Sequence, residues 1–67
     1  MVDEKMILGY AKSLRDEYIA TATDYGLDHQ MTKCLLRDYK ALRRMWSELT
    51  GRNLTNDIER LLDGEYD

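Results

Sequence analysis

The sequence predicts an all-α protein: an antiparallel helical hairpin of two long helices plus a short third helix, assembled into a helical-bundle oligomer. Three observations lead there. Glycines at 26, 51 and 64 close off segments that contain no proline, and glycine adopts the left-handed conformation of a helix C′ position without a Cβ penalty. The segments between them carry apolar residues three and four apart, the period of one helix face. Only Gly26-Leu27-Asp28 separates the first two segments, and so short a link sets neighbouring helices antiparallel. The expected helices are 4–25, 29–50 and 54–63, forming one domain over 1–67.

The first helix places Ile7, Ala11, Leu14, Tyr18, Ala22 and Tyr25 on one stripe. Gly26 stops it, Leu27 folds back on it, and Asp28 is the expected N-cap of the next helix. The second helix repeats the rhythm with Met31, Leu35, Tyr39, Leu42, Trp46 and Leu49. Folding about Leu27 pairs positions whose numbers sum to about 54. That register sets Ile7 near Trp46, Leu14 near Tyr39 and Leu42, Tyr18 near Leu35, and Ala22 near Met31. The third helix brings Leu54, Ile58, Leu61 and Leu62 to cover part of the surplus around Cys34, Leu36, Ala41 and Met45. Thr55 or Asn56 is its expected cap, Asn56 and Glu59 having capping-box spacing.

A chain of 67 residues buries only about 60% of its unfolded surface, so its core needs reinforcement. One cysteine, Cys34, cannot close an internal disulfide, and one histidine, His29, leaves no His/Cys metal set. Self-association is the remaining route. Leu8, Ile19 and Leu36 lack an obvious internal partner and are the expected oligomer interface. The lone thiol suits a reducing compartment, and Met6-Ile7-Leu8 is far too short for a signal or membrane span. A cytoplasmic location with no membrane contact is expected. The compact, acidic, proline-free character suits a bacterial or phage accessory protein.

Catalytic chemistry is not expected. His29 has neither Ser13 nor Ser47 within reach as a nucleophile and reads as a solvated first-turn residue. Cys34, though near Lys33 and Arg37, has no base beside it and reads as a small buried hydrophobe. The acidic ending 63–67 lacks the twelve-residue ligand order of an EF-hand and reads as a solvated tail. Phosphate loops, dinucleotide fingerprints and HExxH motifs are absent from the sequence. No catalytic residue, cofactor or metal is assigned.

Charge is the informative surface feature. The net charge is −3, yet residues 29–52 carry six cations against two acids while both flanking segments are acidic. Lys33, Arg37, Lys40 and Arg44 recur at spacings of four, three and four. Like charges so placed cost a helix roughly 0.2–0.5 kcal/mol per pair, so an opposing charge is expected. One candidate is internal: Glu17 opposite Arg37, and Glu48 one turn from Arg44. The other is an anionic partner, either an acidic protein face or a small nucleotide-like ligand, with Tyr10, Tyr18 or Tyr39 stacking nearby. Weak nucleic-acid binding is a further alternative. Duplex DNA is not expected, because the third helix, the natural reader, carries Asp57, Glu59 and Asp63 against a single Arg60.

Two stretches bear a likeness to known families. Residues 42–66 resemble the closing part of an annexin repeat, through Gly51, Arg52, Leu54, Asp57, Leu62, Gly64 and Tyr66. The annexin calcium loop and repeat array are missing, so the likeness implies helix punctuation and no calcium or membrane function. Residues 7–46 are distantly similar to the helical-hairpin phosphatases acting on sporulation response regulators, through Tyr25-Gly26-Leu27. The Ser-Gln-Glu-Leu-Asp signature of those proteins is not found at 34–38. The function expected overall is that of a small non-catalytic interaction or regulatory protein, working through protein–protein contacts as a homo-oligomer.

Overall fold

A computed structural model describes residues 3–65; Met1, Val2 and the expected tail residues Tyr66 and Asp67 lie outside the described residues. Three helices, α1 (Glu4–Tyr25), α2 (Gln30–Thr50) and α3 (Leu54–Leu62), make up the chain, each packed against the other two. No strand occurs among the described residues.

Each helix begins where a side chain captures the free amides of its first turn. Asp3 Oδ1 accepts from the Lys5 and Met6 amides at 3.1 and 3.3 Å. The cap of α2 is His29, not Asp28: its Nδ1 accepts from the Met31 amide at 3.1 Å. Its ring also lies 4.9 Å from that of Tyr25, so the imidazole closes the link from both sides. Asn53 caps α3 ahead of Thr55 and Asn56, its Oδ1 accepting from the Asn56 amide at 3.1 Å. Both helices are capped one or more residues earlier or later than expected because the turn geometry selects the residue whose side chain points back along the axis. Gly51 ends α2 in the left-handed region at φ 74°, the conformation for which glycine is the default.

The link 26–29 is tied by a buried side chain. Thr32, only 1% exposed, donates its hydroxyl to the Gly26 carbonyl at 2.8 Å. That bond satisfies a carbonyl the end of α1 leaves open and fixes where α2 departs.

Leu8, Ala11 and Leu14 of α1, Tyr39 and Trp46 of α2, and Leu54 and Ile58 of α3 form the core. Ile7, Leu35, Leu42 and Leu61 pack around it. The buried set differs from the expected stripes at several points. Tyr25, Met31 and Leu49 are exposed, so the predicted seam does not stay covered along its whole length. Leu8, expected at an oligomer interface, is fully buried and can offer nothing to a second chain. Because α1 faces α3 as well as α2, its covered surface is wider than a two-helix hairpin requires, and Leu8 falls inside it. Ile19 stays 52% exposed, as a surface residue should, and Leu36 is half-buried.

Truncation separates these roles. Leu8→Ala is expected to destabilise the protein by about 2–5 kcal/mol, the range for leucine deletion in a packed core. Ile19→Ala, read in dilute solution, should stay within about 0.5 kcal/mol of the parent. Urea unfolding followed by circular dichroism measures both.

Candidate functional site

The site builds from α2, whose covered stripe commits the opposite side of the helix to solvent. At 3.6 residues per turn, Lys33, Arg37, Lys40 and Arg44 fall within an arc of about 60°. All four are exposed. Two adjoining open concavities run along this face. The larger, about 680 Å³, is bordered by Lys40, Arg43, Arg44, Ser47 and Arg52 among others. The smaller, about 460 Å³, lies between Lys33, Arg37, Lys40 and Arg44 over Leu36 and Ala41. Lys40 and Arg44 line both.

The expected internal counter-charges are not in place. Glu17 forms no ion pair with Arg37, nor Glu48 with Arg44, among the described residues; Arg37 instead has the adjacent Asp38 at 3.7 Å, both side chains largely in water. Such an exposed contact contributes at most a fraction of a kcal/mol. Lys33, Lys40, Arg43 and Arg44 have no carboxylate within ion-pair distance among the described residues. Like charges at this spacing cost a helix roughly 0.2–0.5 kcal/mol per pair. On α1 the pattern is different: Lys12 Nζ bonds Asp16 at 2.6 Å, and chiefly that hydrogen bond holds the Asp16 carboxyl below its ordinary range.

Tyr10 does not join the site. It is exposed on α1 and lines neither concavity, so a tyrosine stacking platform beside the basic face is not formed from it. Tyr39 is turned inward, its hydroxyl 2.9 Å from that of Thr55. Two further cations belong here, one of them, Arg43, a helical neighbour of Lys40 at i+3. Arg43 borders the larger concavity, and Arg52 reaches it from the segment 51–53.

Arg52 is held by a buried polar centre. The Asp57 side chain is 3% exposed and accepts from Trp46 Nε1 at 2.9 Å, Arg52 Nε at 2.8 Å and Arg60 Nη1 at 3.4 Å. The same Arg52 guanidinium reaches Glu4 Oε1 at 2.6 Å and lies 5.6 Å over the Trp46 ring. One carboxylate thus joins α2, α3 and the segment between them, and through Arg52 it reaches α1. A signal for this existed in the sequence. Positions 54, 57, 58 and 61 share one helix face, so Asp57 stands on an apolar stripe, and a buried indole N–H needs an acceptor.

His29 caps α2, and Cys34, half-buried, receives a weak hydrogen bond from Gln30 Nε2 at 3.6 Å. No group of three or more His, Cys, Asp or Glu residues is arranged to hold a metal ion among the described residues. No helix there is long and apolar enough to cross a membrane.

No family model, no curated protein and no solved structure matches this chain.

Removing the Asp57 carboxylate strands a buried indole donor and two guanidinium contacts at once. Both guanidiniums keep access to water, and Arg52 keeps Glu4, so Asp57→Ala is expected to cost about 1–3 kcal/mol, chiefly for the unsatisfied buried indole N–H. Asp57→Asn, which keeps an oxygen for Trp46, should cost clearly less. Comparing the urea midpoints of the two variants checks the ordering.

Proposed function

We propose that this chain is a non-catalytic interaction protein that acts through protein–protein contacts and self-associates. In this reading α1 and α2 form an antiparallel hairpin braced by α3. Supporting it, the 22 residues of α1 rise about 33 Å, and the longest extent of the whole molecule is 35 Å. Two helices of that length, joined by 26–29, fit such an envelope side by side.

The observation that carries the function is the solvent face of α2. It gathers Lys33, Arg37, Lys40 and Arg44 over a floor of Leu36 and Ala41, with Arg43 alongside, against one exposed contact from Asp38 to Arg37. A strip of cations with an apolar floor suits an acidic protein surface better than a free ion, because both charge and apolar area are satisfied together.

A second reading is a small anionic ligand, nucleotide-like, in the larger concavity. Arg43, Arg44, Lys40 and Ser47 supply donors there, and Arg52 is already oriented by Asp57 and Glu4. Weak nucleic-acid binding has less in its favour, since no aromatic side chain lines either concavity and base stacking contributes about 1–3 kcal/mol per base.

Sedimentation velocity across a concentration series tests the interaction reading, which predicts reversible growth beyond the monomer mass. A monomer at every concentration would contradict self-association. Thermal shift against a nucleotide panel separates the second reading. The interaction reading predicts no rise beyond about 1 °C. A larger rise, abolished in Arg43→Ala/Arg44→Ala, would favour the ligand.

A further inference from the structure

One strip of the solvent side of α1 carries the opposite charge to the basic face of α2, at the same spacing. Glu17 and Asp24 are seven residues apart. On α2, Arg44 and Arg37 are seven apart. In each helix the seven-residue step is a rise of about 10.5 Å. Two helices laid antiparallel in one register therefore set Glu17 against Arg44 and Asp24 against Arg37. Both acids are exposed, and neither has a cation within ion-pair distance among the described residues.

The rest of the two faces agrees with that register. Glu17, Ala20 and Asp24 fall within an arc of about 60° on α1, as the four cations do on α2. Ala20 comes opposite Ala41, so small side chains meet near the centre of the contact. Lys40 lies between Arg37 and Arg44 and faces the gap between Glu17 and Asp24. Ser13 comes opposite Glu48, and no acid meets an acid.

We infer that the basic face of α2 is the docking surface for the acidic face of α1 of a second copy of this chain, the copies joining head to tail. This rests on the self-association reading and on the antiparallel hairpin. In such a hairpin, α1 and α2 present these faces in opposite directions, so one copy cannot use both against the same neighbour. The contact is heterologous, and repetition gives a ring or an open chain. Antiparallel α1 and α2 make the arrangement continuous, because side-by-side copies place each α2 antiparallel to the α1 of the next.

The test uses the whole chain and two charge reversals at exposed positions. Arg37→Glu/Arg44→Glu makes both faces acidic; Glu17→Lys/Asp24→Lys makes both basic. Each variant alone is expected to be monomeric by sedimentation velocity, with unchanged helix content by circular dichroism. An equimolar mixture is expected to reassemble into species larger than a dimer, because each face again finds its opposite. For the unmodified chain, raising salt from about 0.01 M to about 1 M shortens the screening length from roughly 30 Å to roughly 3 Å. That change should dissociate the assembly to monomer. An assembly that persists through both reversals and high salt overturns this interface while leaving self-association intact. An unmodified chain that is monomeric at low salt overturns both. Reversal variants that stay apart when mixed overturn the head-to-tail pairing.

Discussion

Three helices of modest length share a core of seven buried apolar residues, and that core by itself does little to say how α3 should sit. Asp57 supplies the missing constraint. Moving a carboxylate out of water costs several kcal/mol, and only close, well-directed donors offset it. Here the donors come from three places: the indole of Trp46 on α2, Arg52 in the connection, and Arg60 one turn along α3 itself. The net gain in stability from such a centre is small, since an apolar replacement of the right shape could serve as well. Its larger effect is geometric. Any other seating of α3 would leave a buried charge and a buried indole N–H without partners, which penalises alternatives more than it rewards the native state.

The basic concavity depends on the same centre. Arg52 reaches its edge while its guanidinium is committed to Asp57 and Glu4, so the segment 51–53 that borders the site is positioned by the core. Upstream, the cations of α2 stand on a helix whose opposite side is anchored by Tyr39 and Trp46. The spacing of these charges is therefore fixed by the helix and not by a loop. The self-docking proposed above draws on an acidic strip of α1 and the cations of α2, and electrostatic pairing of that kind favours register and selectivity over raw affinity.

Much of this was legible in the sequence because helices record their faces at fixed intervals. Gly26 and Gly51 marked the ends of α1 and α2, and the spacing of Lys33, Arg37, Lys40 and Arg44 placed them on one side before any packing was known. What could not be read depended on a third body. Leu8 looked unpartnered because a two-helix register leaves it off the seam; α3 widens the covered surface of α1 and takes it in. The caps at His29 and Asn53 escaped because residue preference favoured Asp28, Thr55 and Asn56, whereas the path of the backbone decides which side chain can turn back. Arg52 borders the larger concavity only after the segment 51–53 has folded, so no helical periodicity places it, whereas Arg43 stands one helical turn from Lys40. Asp57 was counted among the surface acids of α3, although its place between Leu54, Ile58 and Leu61 marked it as inward-facing.

The most direct measurement of the Asp57 centre is hydrogen exchange at the Trp46 indole, followed by NMR. If the centre holds the helices together, that N–H is released only when the molecule unfolds globally, and its protection equals that of the slowest amides in the middle of α2. Exchange at the rate of a free indole, with those backbone amides still protected, would show that α3 lifts away without the rest and would contradict the account.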